Sequence, residues 1–216
     1  MSDIFQEVDE EVRRERLKQL WDRHGNAIIA AAVVIVVAIG GWRTYQWWEA
    51  KKAAEAGAAF EAAADLANEG KHAEAEAAFA KIATEGTAGY RVLARFRAAA
   101  ELAQSDPKAA VKAYDDLAAG SIGPVLQDLA VVRAGLLLVD TAPYEELRAR
   151  LEPLTSANRA FHHTARELLA LAAWRAGDVT ATRRWADLIT TDVETPPATR
   201  SRVDMLMALI AADGKS

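Results

Sequence analysis

The stretch Ala27-Ile-Ile-Ala-Ala-Ala-Val-Val-Ile-Val-Val-Ala-Ile-Gly-Gly41 contains no polar side chain. It lies within an uncharged run of 19 residues, His24 to Trp42. As a helix this run would be about 28 Å long, close to the hydrocarbon thickness of a bilayer, and a helix satisfies its own backbone hydrogen bonds in lipid. Aromatic side chains flank both ends, as at membrane interfaces: Trp21, Trp42, Tyr45, Trp47 and Trp48. We therefore predict a transmembrane helix with an aromatic belt at residues 25–48.

Two other interpretations of this stretch are a helix buried in a soluble core and a removable signal peptide. Four of the six tryptophans of the chain bracket this one segment, which favours a membrane span over a core helix. A signal peptide begins with a short basic region and ends at small residues. Here a long charged segment comes first, and Gly-Trp-Arg-Thr-Tyr45 follows. We expect the helix to remain as an anchor.

The cations on either side of the apolar run predict its orientation. Five precede it within a short distance (Arg13, Arg14, Arg16, Lys18 and Arg23), and three follow it (Arg43, Lys51 and Lys52). Because the more cationic flank of a single span faces the cytoplasm, we predict a cytoplasmic N-terminus and a C-terminal domain on the opposite side of the membrane.

The leading residues 1–24 are predicted to form a cytoplasmic amphipathic helical segment. Ser2 or Asp3 can cap a helix, and its acids and bases can pair four residues apart. An incomplete apolar stripe lies among these charges: Ile4, Phe5, Val8, Val12, Leu17 and Leu20. The stripe could lie on a membrane or against a partner, and a solvated, partly frayed helix is an equal alternative.

Composition excludes several classes of protein. The net charge of −5 does not fit a nucleic-acid surface, which is basic, and the absence of cysteine excludes disulfide scaffolds and thiolate metal sites. Phosphate-binding, dinucleotide-binding, serine-hydrolase and zinc-protease motifs are also absent. His163 and Glu167 could share a metal, but two ligands are too few for a closed site. We predict no catalytic, cofactor-binding or metal-binding residues, and no enzymatic activity.

Residues 49–216 predict an all-α domain of repeated helix pairs. Large side chains at Phe79, Tyr114, Leu151 and Trp185 are 35, 37 and 34 residues apart, near the period of tetratricopeptide repeats. The first three have an apolar partner four residues earlier: Ala75, Ala110 and Leu147. Small residues precede the same three anchors by 16 positions, where paired helices cross: Ala63, Ala98 and Gly135. We predict an α-solenoid of about four degenerate pairs, with an irregular helical bundle as the alternative.

Pro196 to Ala212 is predicted to form a capping helix that turns Val203, Leu206, Met207 and Ile210 inward. First-turn prolines are expected at Pro107, Pro124 and Pro143. Arginines beside aromatic residues could anchor acidic or aromatic peptides, although packing of the aromatic ring with the arginine in solvent is the preferred interpretation: Arg91, Arg95 and Arg97 with Tyr90 and Phe96, and Arg183 and Arg184 with Trp185.

The N-terminal 48 residues also resemble a known family. Residues 7–21 (Glu-Val-Asp-Glu-Glu-Val-Arg-Arg-Glu-Arg-Leu-Lys-Gln-Leu-Trp), Gly25, the aliphatic run and Gly41-Trp-Arg-Thr-Tyr-Gln-Trp-Trp48 resemble the ancillary SecYEG translocon subunit family. That resemblance implies a single-span inner-membrane protein with a periplasmic tetratricopeptide-like domain. It also implies association with SecYEG and with membrane-anchored periplasmic chaperones, in support of newly exported proteins. The middle repeats depart from the family in lacking turn glycines.

Three functional hypotheses follow from the sequence. The first is an accessory protein of the translocon that binds other proteins through its helical domain and contacts the lipid bilayer. The second is an envelope scaffold of the same architecture that serves division, secretion or wall synthesis. The third is a membrane-anchored enzyme, which the absence of a nucleophile with its base and orienting group disfavours.

Overall fold

The computed structural model describes residues 3–213, with side chains described at Arg14, Glu15, Lys18 and residues 21–212. Every regular element in this range is helical, so the predicted all-α class is confirmed. The helices are α1 (Asp3–Asn68), α2 (His72–Glu85), α3 (Ala88–Leu102), α4 (Pro107–Ala118), α5 (Pro124–Leu138), α6 (Tyr144–Leu151), α7 (His162–Arg175), α8 (Val179–Thr190) and α9 (Pro197–Asp213). A 3-10 turn, Glu152–Leu154, follows α6.

The chain divides into two compact units, Met1–Glu55 and Ala56–Ser216. The first unit consists of the leading part of α1, whose aliphatic side chains are uncovered: Val34 is 66% exposed and Val36 is 69% exposed. The predicted apolar stripe from Ile4 to Leu20 lies outside the described side chains. The predicted boundary between residues 48 and 49 stays a prediction, because α1 passes through it without a break.

The second unit contains the predicted helix pairs. The end of α1 pairs with α2, α3 pairs with α4, α5 with α6 and α7 with α8, and neighbouring pairs pack against each other. The four large anchors each lie on the second helix of a pair and are at most 3% exposed: Phe79, Tyr114, Leu151 and Trp185. Their apolar partners Ala75, Ala110 and Leu147 are fully buried. A tetratricopeptide-like period therefore does organise the core.

Turns between paired helices differ along the domain. In the first and last pairs, Gly70 and Gly177 adopt a φ of +77°, which favours glycine because it has no Cβ. Asp106 caps α4, because its carboxylate accepts a hydrogen bond from the backbone amide of Ala109 at 3.0 Å. Pro107 lies in the first turn of α4, as expected. Pro143 does not follow its prediction: it occupies the N-cap position of α6, one residue before the first turn.

The last helix closes the core at the C-terminal end. Helix α9 begins one residue later than predicted and contributes Val203, Leu206 and Ile210, all at most 6% exposed, while Met207 is partly buried. These side chains pack against α7 and α8, which confirms the predicted inward face. The capping helix covers apolar surface that the last repeat leaves open.

Candidate partner-binding groove and histidine cluster

A groove of about 300 Å³ opens between α2, α3 and α4. Its floor consists of small and aliphatic side chains: Ala80, Ala83, Ala98, Ala99, Leu102, Ala113 and Leu117. Its charged lining residues are Glu76, Arg95 and Asp116. A volume of this size accepts one or two large apolar side chains, and the mixed charges can orient a polar backbone or an ionic partner. The groove is therefore a candidate site for an apolar segment of another protein.

The arginines of α3 divide between this groove and the core. Arg95 lines the groove, whereas Arg97 lies over the ring of Phe79, with its guanidinium carbon 5.4 Å from the ring centroid. Arg97 also lies 3.8 Å from Glu101, and a second oxygen of that carboxylate lies within hydrogen-bonding distance of His72 Nδ1, at 2.8 Å. Glu101 is only 8% exposed, so these contacts stabilise a buried carboxylate and join α2 to α3.

The other aromatic residues in the arginine and aromatic clusters also pack against side chains of this chain. Tyr90 lies 5.7 Å from the ring of Phe60, and Trp185 is 1% exposed beneath the guanidinium of Arg184. The preferred interpretation of these arginine and aromatic clusters, packing with the charge toward solvent, agrees with this arrangement.

A second cluster of polar side chains lies at the N-terminal end of α7. The rings of His162 and His163 are 3.8 Å apart, and Asp192, from the loop after α8, completes a group whose possible ligand atoms lie within 4.8 Å of one another. From the sequence alone, the possible pair of metal ligands was His163 with Glu167. In the structure Glu167 binds Arg202 at 2.8 Å, and this hydrogen bond raises the pKa of Arg202.

Arg166 already occupies the cation position in this cluster. Its Nη1 donates to Asp192 Oδ2 at 2.9 Å and to the Leu188 carbonyl at 3.0 Å, and its Nε donates to the Thr155 carbonyl at 3.0 Å. A metal ion at Asp192 would be repelled by this guanidinium and by the positive end of α7. These contacts favour a structural role, in which Arg166 joins three segments of chain. The prediction that the chain has no metal site stays a prediction.

The protonation states in the cluster follow from its contacts. The backbone amide of Glu194 and the Arg166 guanidinium lower the pKa of Asp192. Burial and the adjacent His162 lower the pKa of His163. At neutral pH the carboxylate is therefore ionised and the His163 imidazole is neutral.

The aliphatic part of α1 forms a separate candidate surface. Among the described helices, the stretch Trp21–Asn68 is long and apolar enough to cross a membrane, and only 6% of its most apolar 18-residue window is buried. The flanking aromatic side chains are also at least half exposed: Trp21, Trp42, Tyr45, Trp47 and Trp48. An exposed apolar surface of this extent is typical of a segment that contacts a membrane or another protein.

Comparison with known proteins identifies the helical array. No curated protein and no solved structure matches the chain. The family model described as a tetratricopeptide repeat-like domain matches residues 18–183, well over half of the 216 residues. The matched range includes three of the four buried anchors, and the fourth, Trp185, follows its end by two residues. The chain therefore belongs to the tetratricopeptide repeat-like domain family.

Proposed function

We propose that this protein is a membrane-anchored interaction module that acts as an accessory subunit of the SecYEG translocon. In this role it assists periplasmic chaperones and newly exported proteins. The observation that carries the proposal is the uncovered aliphatic helix of the first unit, followed in the same chain by a tetratricopeptide repeat-like domain. The choice of SecYEG is supported by the resemblance of residues 7–48 to its ancillary subunit family.

The helical domain supports protein binding rather than catalysis. Arrays of helix pairs present extended surfaces to other proteins, and the α2–α4 groove has an alanine-rich floor into which a partner's apolar side chain fits. The buried charged residues Glu101, Asp128 and Arg166 each contact an oppositely charged side chain within the domain: Arg97, Arg159 and Asp192, respectively. Their contacts stabilise helix packing instead of aligning reactive groups.

The proposed orientation places the N-terminus in the cytoplasm and the helical domain in the periplasm. Its support is the excess of cations before the apolar run, five against three after it. The alternative function, an envelope scaffold for division, secretion or wall synthesis, has the same architecture and differs in its partner.

Site-specific photocrosslinking in cells tests the proposal. A photoreactive amino acid at Gln46, which is exposed just after the apolar run, should capture SecYEG subunits. Gln104, which is exposed in the turn before α4, is the matched position in the helical domain. The photoreactive amino acid placed there should capture chaperones or exported chains. Capture of division or wall-synthesis proteins at both positions, without SecYEG subunits, would establish the scaffold alternative.

A further inference from the structure

We propose that residues 43–52, which follow the apolar run, bind the phosphate groups of anionic phospholipids; this inference rests on the proposed membrane anchoring and names the lipid class. The segment holds three cations, Arg43, Lys51 and Lys52, and one acid, Glu49. It therefore has a net positive charge at the level where phospholipid phosphates lie.

An aromatic ladder defines this level along one side of the helix. The ring centroids of Trp42 and Tyr45 are 6.5 Å apart, as are those of Tyr45 and Trp48. Thr44 lies between Trp42 and Tyr45 in the sequence. Its hydroxyl donates a hydrogen bond to the Gly40 carbonyl at 2.9 Å, so this polar group is satisfied within the helix. Amphipathic rings of this kind occupy the boundary between acyl chains and headgroups, so the ladder places residues 42–48 at that boundary.

Both lysines lie against tryptophan rings of this belt. Lys52 Nζ is 3.6 Å from the Trp48 ring centroid, and Lys51 Nζ is 5.7 Å from that of Trp47. Helical side chains lean toward the N-terminus, so each lysine reaches back by four residues toward the apolar run. The attraction between cation and ring holds the ammonium groups at headgroup depth, and each ammonium retains N–H donors for a phosphate oxygen.

The cations lie on two faces of the helix. Arg43, Trp47 and Lys51 follow one another at intervals of four and share one face, whereas Trp48 and Lys52 lie on the next. Arg43 adds a planar fork of donors that matches phosphate. Two separate cationic faces fit two lipid molecules around the helix better than one ligand. An anionic headgroup is preferred because a zwitterionic one carries its own cation beside the phosphate.

Fluorescence quenching by brominated lipids tests the inference with the full-length chain. The protein is reconstituted in vesicles of equal phosphatidylglycerol and phosphatidylcholine, with bromine on the acyl chains of one lipid or of the other. Tryptophans outside the bilayer are not quenched in either case. We expect several-fold stronger quenching by brominated phosphatidylglycerol than by brominated phosphatidylcholine.

The tryptophan fluorescence of the variant Lys51→Gln/Lys52→Gln should still be quenched. Most of the preference for brominated phosphatidylglycerol should be lost. The matched control, Lys81→Gln/Lys112→Gln, removes the same charge from exposed positions in α2 and α4 and should keep the preference. Equal quenching of the wild type by both lipids, or a preference unchanged in the Lys51/Lys52 variant, would overturn the lipid inference and leave the anchor standing. If neither lipid quenches, the segment is outside the bilayer and both proposals fail.

Discussion

Gly135 of α5 packs so closely on Leu151 of α6 that a Cβ atom at position 135 would lie 3.1 Å from Leu151 Cδ2. Leu151 is fully buried, and buried side chains are close-packed. A glycine within a helix costs about 1 kcal/mol relative to alanine, so this close helix crossing explains its presence.

Gly135→Ala tests that explanation through its dependence on Leu151. In the wild type we expect the free energy of unfolding to fall by about 1 kcal/mol, because overpacking outweighs the gain in helix propensity. In a Leu151→Ala background the added methyl group has room, and the same change should stabilise by about 1 kcal/mol. Urea denaturation measures both values.

A control for this pair is Gly89→Ala in α3, where a Cβ would meet no atom within 4 Å. It should be neutral or slightly stabilising. The same effect of Gly135→Ala in both backgrounds would show that the contact with Leu151 does not determine the choice of glycine.

The groove between α2, α3 and α4 should lose its partner when it is filled. Ala80 is exposed in its lining, so Ala80→Trp occupies the space with little effect on folding. Capture of chaperones or exported chains by the full-length protein from native membranes should fall by at least tenfold, the loss expected from removing one main anchor. Ala77→Trp, at an exposed position of α2 outside the groove lining, is the control and should bind normally. Equal capture by both variants would place the partner surface elsewhere.

Stability should decrease as the pH falls below about 6.5, the ordinary pKa of histidine. Burial and His162 lower the pKa of His163, with a further contribution from Arg166 against the opposing effects of Asp192 and Glu194. Below pH 6.5 the unfolded chain therefore binds a proton that the folded chain resists, until the pH reaches the lowered folded pKa. Thermal denaturation between pH 7.5 and 5 should show this decrease, and His163→Gln should reduce it. An unchanged profile in the variant would assign the effect to other groups.

Asp192 should contribute to the pH dependence of stability in a lower pH range than His163. Because its folded pKa is lowered, its stabilising effect is complete above about pH 4, the ordinary pKa of aspartate, and is lost as the pH falls through the folded pKa. Asp192→Asn should remove this acid-dependent part and also destabilise the protein at neutral pH, since Arg166 is then buried without its counter-charge. Glu194→Gln, at the neighbouring position, should have little effect on thermal stability, because Asp192 binds its backbone amide. Equal stability of Asp192→Asn and wild type would contradict the role assigned to Arg166.

Topology can be measured in spheroplasts. Protease added outside should degrade residues after Trp48 and spare the leading helix, and carbonate washing should leave the chain in the membrane fraction. Release by carbonate would rule out a permanent anchor, and the reverse pattern of protection would reverse the orientation.

Local patterns made the helices and their buried anchors predictable from the sequence. The polar contacts between distant residues could not be predicted in this way. The period that connects Phe79 to Tyr114 and Tyr114 to Leu151 depends on side chains a few residues apart within helices, so it can be read directly. Arg166 and Asp192 are 26 positions apart, and Asp128 and Arg159 are 31 apart. Only the packed fold brings such residues together. The burial of Arg166 among the alanines and leucines of α7, which implies a carboxylate nearby, is itself seen only in the structure.

The position of Arg166 limits how the C-terminal part of the domain can be divided. One side chain binds the backbone before α7, the end of α8 and the loop that precedes α9. Repeats in many helical arrays can be deleted as modules because each contacts only its neighbours. Here, a chain that ended before residue 192 would leave the buried guanidinium of Arg166 without its carboxylate partner. Helices α7 and α8 and the loop that follows them are therefore joined through one side chain, and we expect them to unfold together.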